Sequence, residues 1–441
     1  VNLARDAGAL GRLRVIADLH IHSRYSRATS ERMCVEEINR FAQIKGLDIV
    51  GTGDFTHPKW LKELSEKLVP EPDTSLYRSA SGDNSTVRFI VTTEVSTVFA
   101  VKNQIKKVHH VILTPSLETA AQISDRLSKY GNLASDGRPT LDVNAAHLVE
   151  EVMEVSDENM VFPAHAWTPW FSIFGAFSGF DSVEECYEDM AKHIYALETG
   201  LSSDPPMNWR LSGLDKFTLV SNSDSHSFWP WRIGREANVF ELGKPDYGEV
   251  LDAIRSKDTR RFKFTIETDP AYGKYHWTGH RNCNVSLSAR EAAKLGNVCP
   301  VCRRKLTKGV EQRVEELADR SADFKPENAV GFMRLLPLPE IIATVLGVDS
   351  PSAEKVWSIY NLLIEKFGDE YSVLIDRSKS ELSSVAGEQV AEAIVRVREG
   401  KAKVVPGYDG VYGRLVIFDG RAKDKILPKR VQQLNLTDFT F

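Results

Sequence analysis

Eight residues of metal-ligating type stand where short apolar runs give out. They are His20 and His22 after "LRVIADL", Asp54 after "LDIVGTG", Glu94 in "VRFIVTTEVS", His110 in "VHHVILT", His165 in "MVFPAHAW", and Asp224 and His226 in "FTLVSNSDSH". Imidazole and carboxylate together form a donor set for zinc, manganese or iron. A lone histidine beside a buried strand is ordinarily a hydrogen-bonded structural residue. Eight such groups at successive strand ends need another explanation, because polar groups buried there without partners would be costly. His20 and His22 alternate along the chain, so both rings point to one side and pair on one ion. A converging cluster suits phosphodiester hydrolysis: metal ions acidify a bound water and stabilise charge on the phosphoryl and leaving oxygens, and no protein nucleophile is required. Ser23, Ser26 and Ser30 have no Gly-x-Ser-x-Gly elbow around them and read as turn and capping residues. Arg24 and Arg27 are candidates for gripping phosphate.

These groups need a scaffold that gathers strand ends. "LRVIADLHIH" reads as a strand, "CVEEINRFAQIKG" as a helix closed by Gly46, and "LDIVGTGDF" as the next strand. The alternation continues to "FTLVSNSDSH", which predicts an α/β barrel of parallel strands with its chemistry at their C-terminal ends. The 441 residues are too many for one core, so two or three domains are expected. A net charge of -5 argues against an overall cationic nucleic-acid binder and leaves room for a local basic groove. Five cysteines in so long a chain form no disulfide framework, and no run of eighteen apolar residues occurs, so a cytoplasmic location without membrane contact is expected.

Behind His165, "HAWTPWFSIFGAFSGF" crowds aromatics. Phe174, Phe177 and Phe180 are expected in the core. Trp167, Trp170 and Phe171 lie nearer the strand end, where rings could hold a base outside its stack. Trp229 and Trp231 are secondary candidates, with Arg232 and Arg235 available for a nucleic-acid backbone. Further on, His280, Cys283, Cys299 and Cys302 form two close pairs fit for one structural zinc, with His276 as the alternative fourth ligand. Arg281, Arg290, Arg303, Arg304, Lys305 and Lys308 would make a basic patch around it. From about Val310 the spacing predicts a packed helical module, followed by a loop and strand in "KVVPGYDGVYGRLVIF".

The strings "DLHIHS", "TGDF", "TTE", "HHVIL", "PAHA" and "SDSH" resemble the successive motifs of the PHP (polymerase and histidinol phosphatase) superfamily of metal-dependent phosphoesterases. "HSRYSRATS", "GTGDFTHPKWL", "FPAHAWTPWFSIFG" and the cysteine segment resemble endonuclease Q, and the likeness runs through nearly the whole chain. The resemblance implies an α/β fold: a distorted (β/α)7 PHP barrel over 1–255, a small zinc-binding segment over 256–312, a mainly helical DNA-binding module over 313–425 and a tail over 426–441. It implies a monomeric, nucleoid-associated repair endonuclease that nicks DNA 5′ to uracil, hypoxanthine or xanthine, or at abasic sites. By position, His20, His22, Glu94 and Asp224 would hold one metal, and Glu94 would bridge to a second held by His110 and His165, with His109 as the alternative to His110. Asp54 and His226 would belong to a third, where the usual extra ligand falls near Arg27 and Ala28, neither of which can serve. His57 is a spare candidate. Two or three divalent ions (zinc, manganese or magnesium) are thus expected, with Glu94, Asp224 and His226 carrying the catalysis. The other reading is a PHP-type phosphatase for a small phosphate monoester, to which the zinc segment and basic patch would be surplus. In the tail, Gln433, Leu436, Phe439 and Phe441 resemble a peptide that docks on sliding clamps, which makes a clamp an expected partner.

Overall fold

The computed structural model describes residues 12–82 and 84–418. Seven strands form a ring: β1 (Leu13–Asp18), β2 (Ile49–Gly51), β3 (Arg88–Val101), β4 (Gln104–Thr114), β5 (Met160–Pro163), β6 (Ala196–Glu198) and β7 (Thr218–Val220). Neighbours from β1 to β5, and β6 with β7, are joined by ladders. Single bridges complete the circuit, Val161 to Ile194 beside β5 and Ile21 to Ser225 beyond β1. Six strands share one direction and β4 opposes them, so the expectation of uniformly parallel strands fails at one position. The reason is local: Lys102 and Asn103 adopt φ of 47° and 65°, the left-handed pair that closes a two-residue hairpin.

Alternate residues separate two cores. Val15, Ala17, Ile49, Ile90, Val111, Phe162, Ala196 and Val220 meet inside the ring. Ile16, Val50, Phe89, Ile112, Val161, Leu197 and Leu219 face an outer layer that includes Ile38 and Phe41 of α1 (Val35–Lys45) and Leu148 and Val149 of the helix Ala145–Met153. Each such side chain contributes about 1.5–3 kcal/mol when fully buried. The helix α1 stops at Gly46, whose φ of 94° lets its N–H return to the Ala42 carbonyl. A helix over Tyr247–Arg255 covers the N-terminal end of the ring through Tyr247 to Glu158 O (2.8 Å) and Arg255 to Asn159 O (2.9 Å). The opposite, C-terminal mouth stays free for chemistry.

The sheet continues outward on the other side of β1, through strands before and after residue 255. Ala237–Leu242 pairs antiparallel with β1, Phe262–Glu267 follows, and Gly331–Arg334 adds a parallel edge. Buried Asn238 fills the gap where β1 and β7 do not pair, donating to Ala17 O (3.2 Å) and Ser221 O (2.8 Å) and accepting from Ser221 N (3.0 Å). Four helices, Leu338–Leu346, Glu354–Phe367, Lys379–Ala386 and Glu388–Arg398, then pack together against the ring. Their anchor is the buried pair Lys45–Glu370 at 2.7 Å, with Glu370 also accepting from Leu338 N and the Tyr360 hydroxyl. Trp229 and Trp231 stack on each other at 5.1 Å and abut Trp357, so these rings join barrel to helices. The hairpin Lys403–Val405/Arg414–Val416 returns to the cysteine segment, where Trp277 N donates to Gly407 O (2.9 Å). Among the described residues no helix is long and apolar enough to cross a membrane. Gln433, Leu436, Phe439 and Phe441 lie outside the described residues.

Candidate metal centre

His20 and His22 reach the mouth through an interruption of β1. Regular alternation after Ala17 and Leu19 would turn His20 outward, but the chain leaves the ladder at Asp18 and rejoins it at Ile21, against Ser225. Asp18 holds this bend by accepting from Ser223 N (3.0 Å) and Gly234 N (2.9 Å). Ile21 therefore faces the outer core and both imidazoles face inward.

Two groups of ligand atoms converge there, each with its members within 4.8 Å of one another. In the first, His22 Nε2 lies 3.0 Å from Asp224 Oδ1 and 3.1 Å from Glu94 Oε2, and His20 Nε2 lies 3.5 Å from Glu94 Oε2 and 3.6 Å from Asp224 Oδ1. In the second, Glu94 Oε1 is 2.9 Å from His109 Nδ1 and 3.0 Å from His165 Nε2, and the two nitrogens are 3.2 Å apart. Tetrahedral nitrogen and oxygen ligands around a zinc-sized ion stand about 3.3 Å from one another, so both groups fit a divalent ion without rearrangement. Glu94 offers one oxygen to each group, which is the geometry of a bridging carboxylate.

The second group contains His109, not His110. Adjacent residues of a strand face opposite ways, and on β4 the inner face is that of His109, Val111 and Leu113. His110 points outward, 2.8 Å from Thr97 Oγ1 and 2.8 Å from the Tyr187 hydroxyl. Burial pushes the His109 imidazole down to about 4 and that of His110 to about 3, so both rings are neutral near pH 7.

Asp54 and His226 form no third group among the described residues. The Asp54 carboxylate is occupied in orienting the first group: Oδ1 meets His22 Nδ1 at 2.9 Å, and Oδ2 accepts from Ser23 N, Ser23 Oγ and Ser26 Oγ at 2.6, 2.6 and 2.9 Å. His226 packs its ring 4.3 Å from that of His22 and bonds the Asp224 carbonyl, as a half-buried neighbour of the centre. His57 stacks on Tyr25 at 4.5 Å, away from both groups. Asp54, His165 and Asp224 hold φ of 51°, 30° and 47°, backbone strain that collects where function over-determines the chain.

Two residues at the mouth, buried Glu198 and half-buried Arg138, were not anticipated. Glu198, at the end of β6, accepts from His20 Nδ1 at 3.0 Å, from Asn222 Nδ2 at 2.8 Å and from His165 N at 2.7 Å, leaving His20 Nε2 aimed at the centre. Such outer partners fix the tautomer of a ligating ring. Glu198→Gln is therefore expected to weaken zinc binding by about 10–100-fold, measured by chelator competition. Arg138 places Nη1 3.0 Å from Glu94 Oε2. Gly137 seats it, since a Cβ there would fall 2.3 Å from Asp54 Oδ2 and Ser26 Oγ. Of the arginines anticipated, Arg24 is tied to Glu63, and Arg27 is exposed at the rim, paired with Asp136 at 3.2 Å.

Trp167 is core: it is 1% exposed, donates to Asn208 Oδ1 at 2.7 Å and packs on Phe174. Phe171 lies against His109 at 4.9 Å. Trp170 and Phe177 are 41% and 51% exposed and stack at 4.9 Å, with Tyr275 edge-on to Trp170. Phe177 thus belongs to an exposed aromatic group and not to the core, unlike Phe174 and Phe180.

His280, Cys283, Cys299 and Cys302 converge within 4.8 Å in a separate tetrad, and half-buried His276 is not part of it. Against burial, which opposes it, the N–H groups of Cys302 and Val301 lower the Cys299 thiol to about 6. Cys299→Ser should lose one zinc per chain by elemental analysis and loosen the hairpin Thr278–His280/Val285–Leu287. Unchanged zinc content would contradict the tetrad.

A family model described as the MJ0043 C-terminal domain matches residues 337–401. The Methanocaldococcus jannaschii protein MJ0043 is 33% identical over 256 residues, 57% of this chain, and the match spans 31% of that relative's length. The Bacillus subtilis protein YqxK is 27% identical over 426 residues, 91% of this chain and 99% of its own. Among solved structures, the lesion-specific endonuclease PfuEndoQ from Pyrococcus furiosus superposes with a TM-score of 0.82 at 36% identity, covering 94% of this chain and 98% of that one. Endonuclease Q in complex with a 27-mer duplex substrate, with an abasic lesion at its active site, gives a TM-score of 0.81 at 36% identity over 96% of this chain and all of that one. With that identity sustained over both full lengths, the chain belongs to the endonuclease Q family.

Proposed function

We propose that the protein is a metal-dependent repair endonuclease that cuts DNA on the 5′ side of a deaminated base (uracil, hypoxanthine or xanthine) or at an abasic site. One observation carries the reading: two ligand groups share Glu94, one carboxylate oxygen each, at a mouth where Asp224 remains 29% exposed to an incoming strand. Bound divalent ions would supply an acidified water and neutralise charge on the phosphoryl group. His20, His22, Glu94 and Asp224 would hold one ion, and Glu94, His109 and His165 a second, in a ring that corresponds to a distorted PHP barrel. Arg138, with donors free to turn from Glu94, would hold the phosphate. A zinc in the cysteine tetrad would shape the segment that carries exposed Arg303, Arg304 and Lys305 to the duplex. The 27-mer duplex bound to the related endonuclease supports duplex DNA as substrate. The tail would add a sliding-clamp contact to a monomer working on the nucleoid.

Exposed Trp170 offers a stacking face near the mouth. Trp170→Ala is expected to slow cleavage at uracil and hypoxanthine by about tenfold or more, with a smaller loss at an abasic site, where no base needs support. Equal losses on all three substrates would assign the ring to the fold. The phosphatase reading is separated by giving the zinc- or manganese-loaded protein both an abasic duplex and p-nitrophenyl phosphate. Cleavage of the duplex with negligible monoester hydrolysis supports the nuclease, and the reverse overturns it.

A further inference from the structure

The loop that follows β5, residues 164–180, has one face on the second ligand group and the other in solvent. Inside, His165 Nδ1 lies 2.9 Å from the Thr168 hydroxyl and 3.0 Å from that of Ser172. Ser172 donates to the His165 carbonyl at 2.8 Å, and Thr168 has the same carbonyl at 3.2 Å or the Ser172 oxygen as its acceptor. A hydroxyl carries one proton. With those protons spent, only oxygen lone pairs face the ring, so Nδ1 carries the imidazole proton and Nε2 keeps its lone pair. That lone pair meets Glu94 Oε1 at 3.0 Å, an arrangement that a cation between them completes. The same loop holds the other imidazole of the group: His109 N donates to Phe171 O at 3.0 Å, and the two rings are in contact. Outside, Trp170 and Phe177 present their stacked rings to solvent.

Between these faces the chain is tightly knit. Phe177 N donates to Pro169 O (3.1 Å), Phe171 N to Ser178 Oγ (3.0 Å) and Phe174 N to Ala166 O (2.9 Å). A Cβ on Gly175 would fall 2.7 Å from Thr168 O, and one on Gly179 2.4 Å from Gly175 N. Phe171 and His165 hold φ of 59° and 30°, a region that residues other than glycine rarely enter. Such strain persists only where surrounding contacts over-determine it. An ion on His109 and His165 would restrain this conformer from inside, and a base stacked on Trp170 and Phe177 would restrain it from outside. Two ligands that favour one conformer of a shared element strengthen each other, by the same factor in each direction.

We propose that Thr168, Ser172 and Phe171 are positioning residues for the second metal ion, and that their loop couples metal binding at Glu94, His109 and His165 positively to stacking of a nucleobase on Trp170 and Phe177. The stacked base rests on the nuclease reading; the positioning by Thr168 and Ser172 does not.

Zinc affinity of the full chain is measured by chelator competition, and the second-site ion is identified as the one that His109→Ala lacks. Thr168→Val keeps the shape of the side chain without its hydroxyl, so affinity for that ion should fall about tenfold with the other ions retained, and Thr168→Ser should restore it. Unchanged affinity in Thr168→Val, or a loss that Thr168→Ser does not restore, overturns the positioning role. The titration is then repeated with a saturating duplex already nicked on the 5′ side of its single uracil, which leaves no bond there to be cut. Second-site affinity should rise about fivefold or more in wild type and about twofold or less in Trp170→Ala and Phe177→Ala. A duplex that binds without changing zinc affinity, or that raises it equally in both variants through its phosphates, overturns the coupling. Absence of binding to the nicked duplex also overturns it, whereas the nuclease reading stands or falls on cleavage of the intact one.

Discussion

Glu94→Ala should reduce nicking of a lesion-bearing duplex by at least about 10³-fold while duplex affinity changes little. The substitution removes one oxygen from each ligand group at once, which among the described residues no other side chain supplies to both. Binding surfaces elsewhere, including Arg303, Arg304 and Lys305, are untouched. Single-turnover cleavage and gel-shift affinity on the same preparations separate the two effects. The partner experiment is the pair His109→Ala and His110→Ala. His109→Ala should lose one ion and most activity. His110→Ala should keep its metal and instead lose stability, by about 1–3 kcal/mol, because it strands the buried Tyr187 hydroxyl and leaves Thr97 Oγ1 with Val108 O alone. Loss of metal from His110→Ala with full occupancy in His109→Ala would reverse the assignment.

Arg138→Ala is expected to lower the rate of the chemical step by about 10²–10³-fold, the usual consequence of removing one preorganised donor from a developing negative charge. Four buried or half-buried carboxylates lie at the mouth, Glu94, Asp224, Asp54 and Glu198, and two divalent ions held there would already offset their charge, so a further cation would weaken metal binding. An anionic substrate is what makes its presence favourable. Removing Arg138 should therefore leave zinc content equal or higher while the rate falls, and Arg138→Lys should recover part of the rate as a point charge without the fork. If zinc departs with the guanidinium, Arg138 is instead a support for Glu94.

The candidate ligand set was legible in the sequence to the extent that strand periodicity and chemical type determine it. His20 and His22 could be paired from their spacing alone, although what turns them inward is the interruption at Asp18, which no alternation rule contains. His109 and His110 could not be separated, because strand direction and face decide between them and the hairpin at Lys102–Asn103 sets both. Asp54 has the type and place of a ligand, and only the positions of Ser23, Ser26 and His22 around it reveal that its oxygens are taken. Glu198 carried a signal, an acid closing the apolar run of "IYALETG", of the same kind that marked Glu94. Arg138 had none, since it sits on a loop whose course is fixed by Gly137 against Asp54. Trp167 misled for a related reason: an aromatic residue just past a strand end can turn either way, and Asn208 supplied an indole partner inside.

The position of the cut is the most direct discriminator. Duplexes labelled at one 5′ end and carrying a single uracil, hypoxanthine, xanthine or abasic site are incubated with the zinc- or manganese-loaded protein, beside the same duplex undamaged, and the products are sized on a sequencing gel. A nick at the phosphodiester immediately 5′ of the lesion, absent from the undamaged duplex and abolished by chelator, is the predicted result. Cleavage at the same rate in the undamaged duplex, or lesion-dependent cleavage that persists after complete removal of metal, would contradict it.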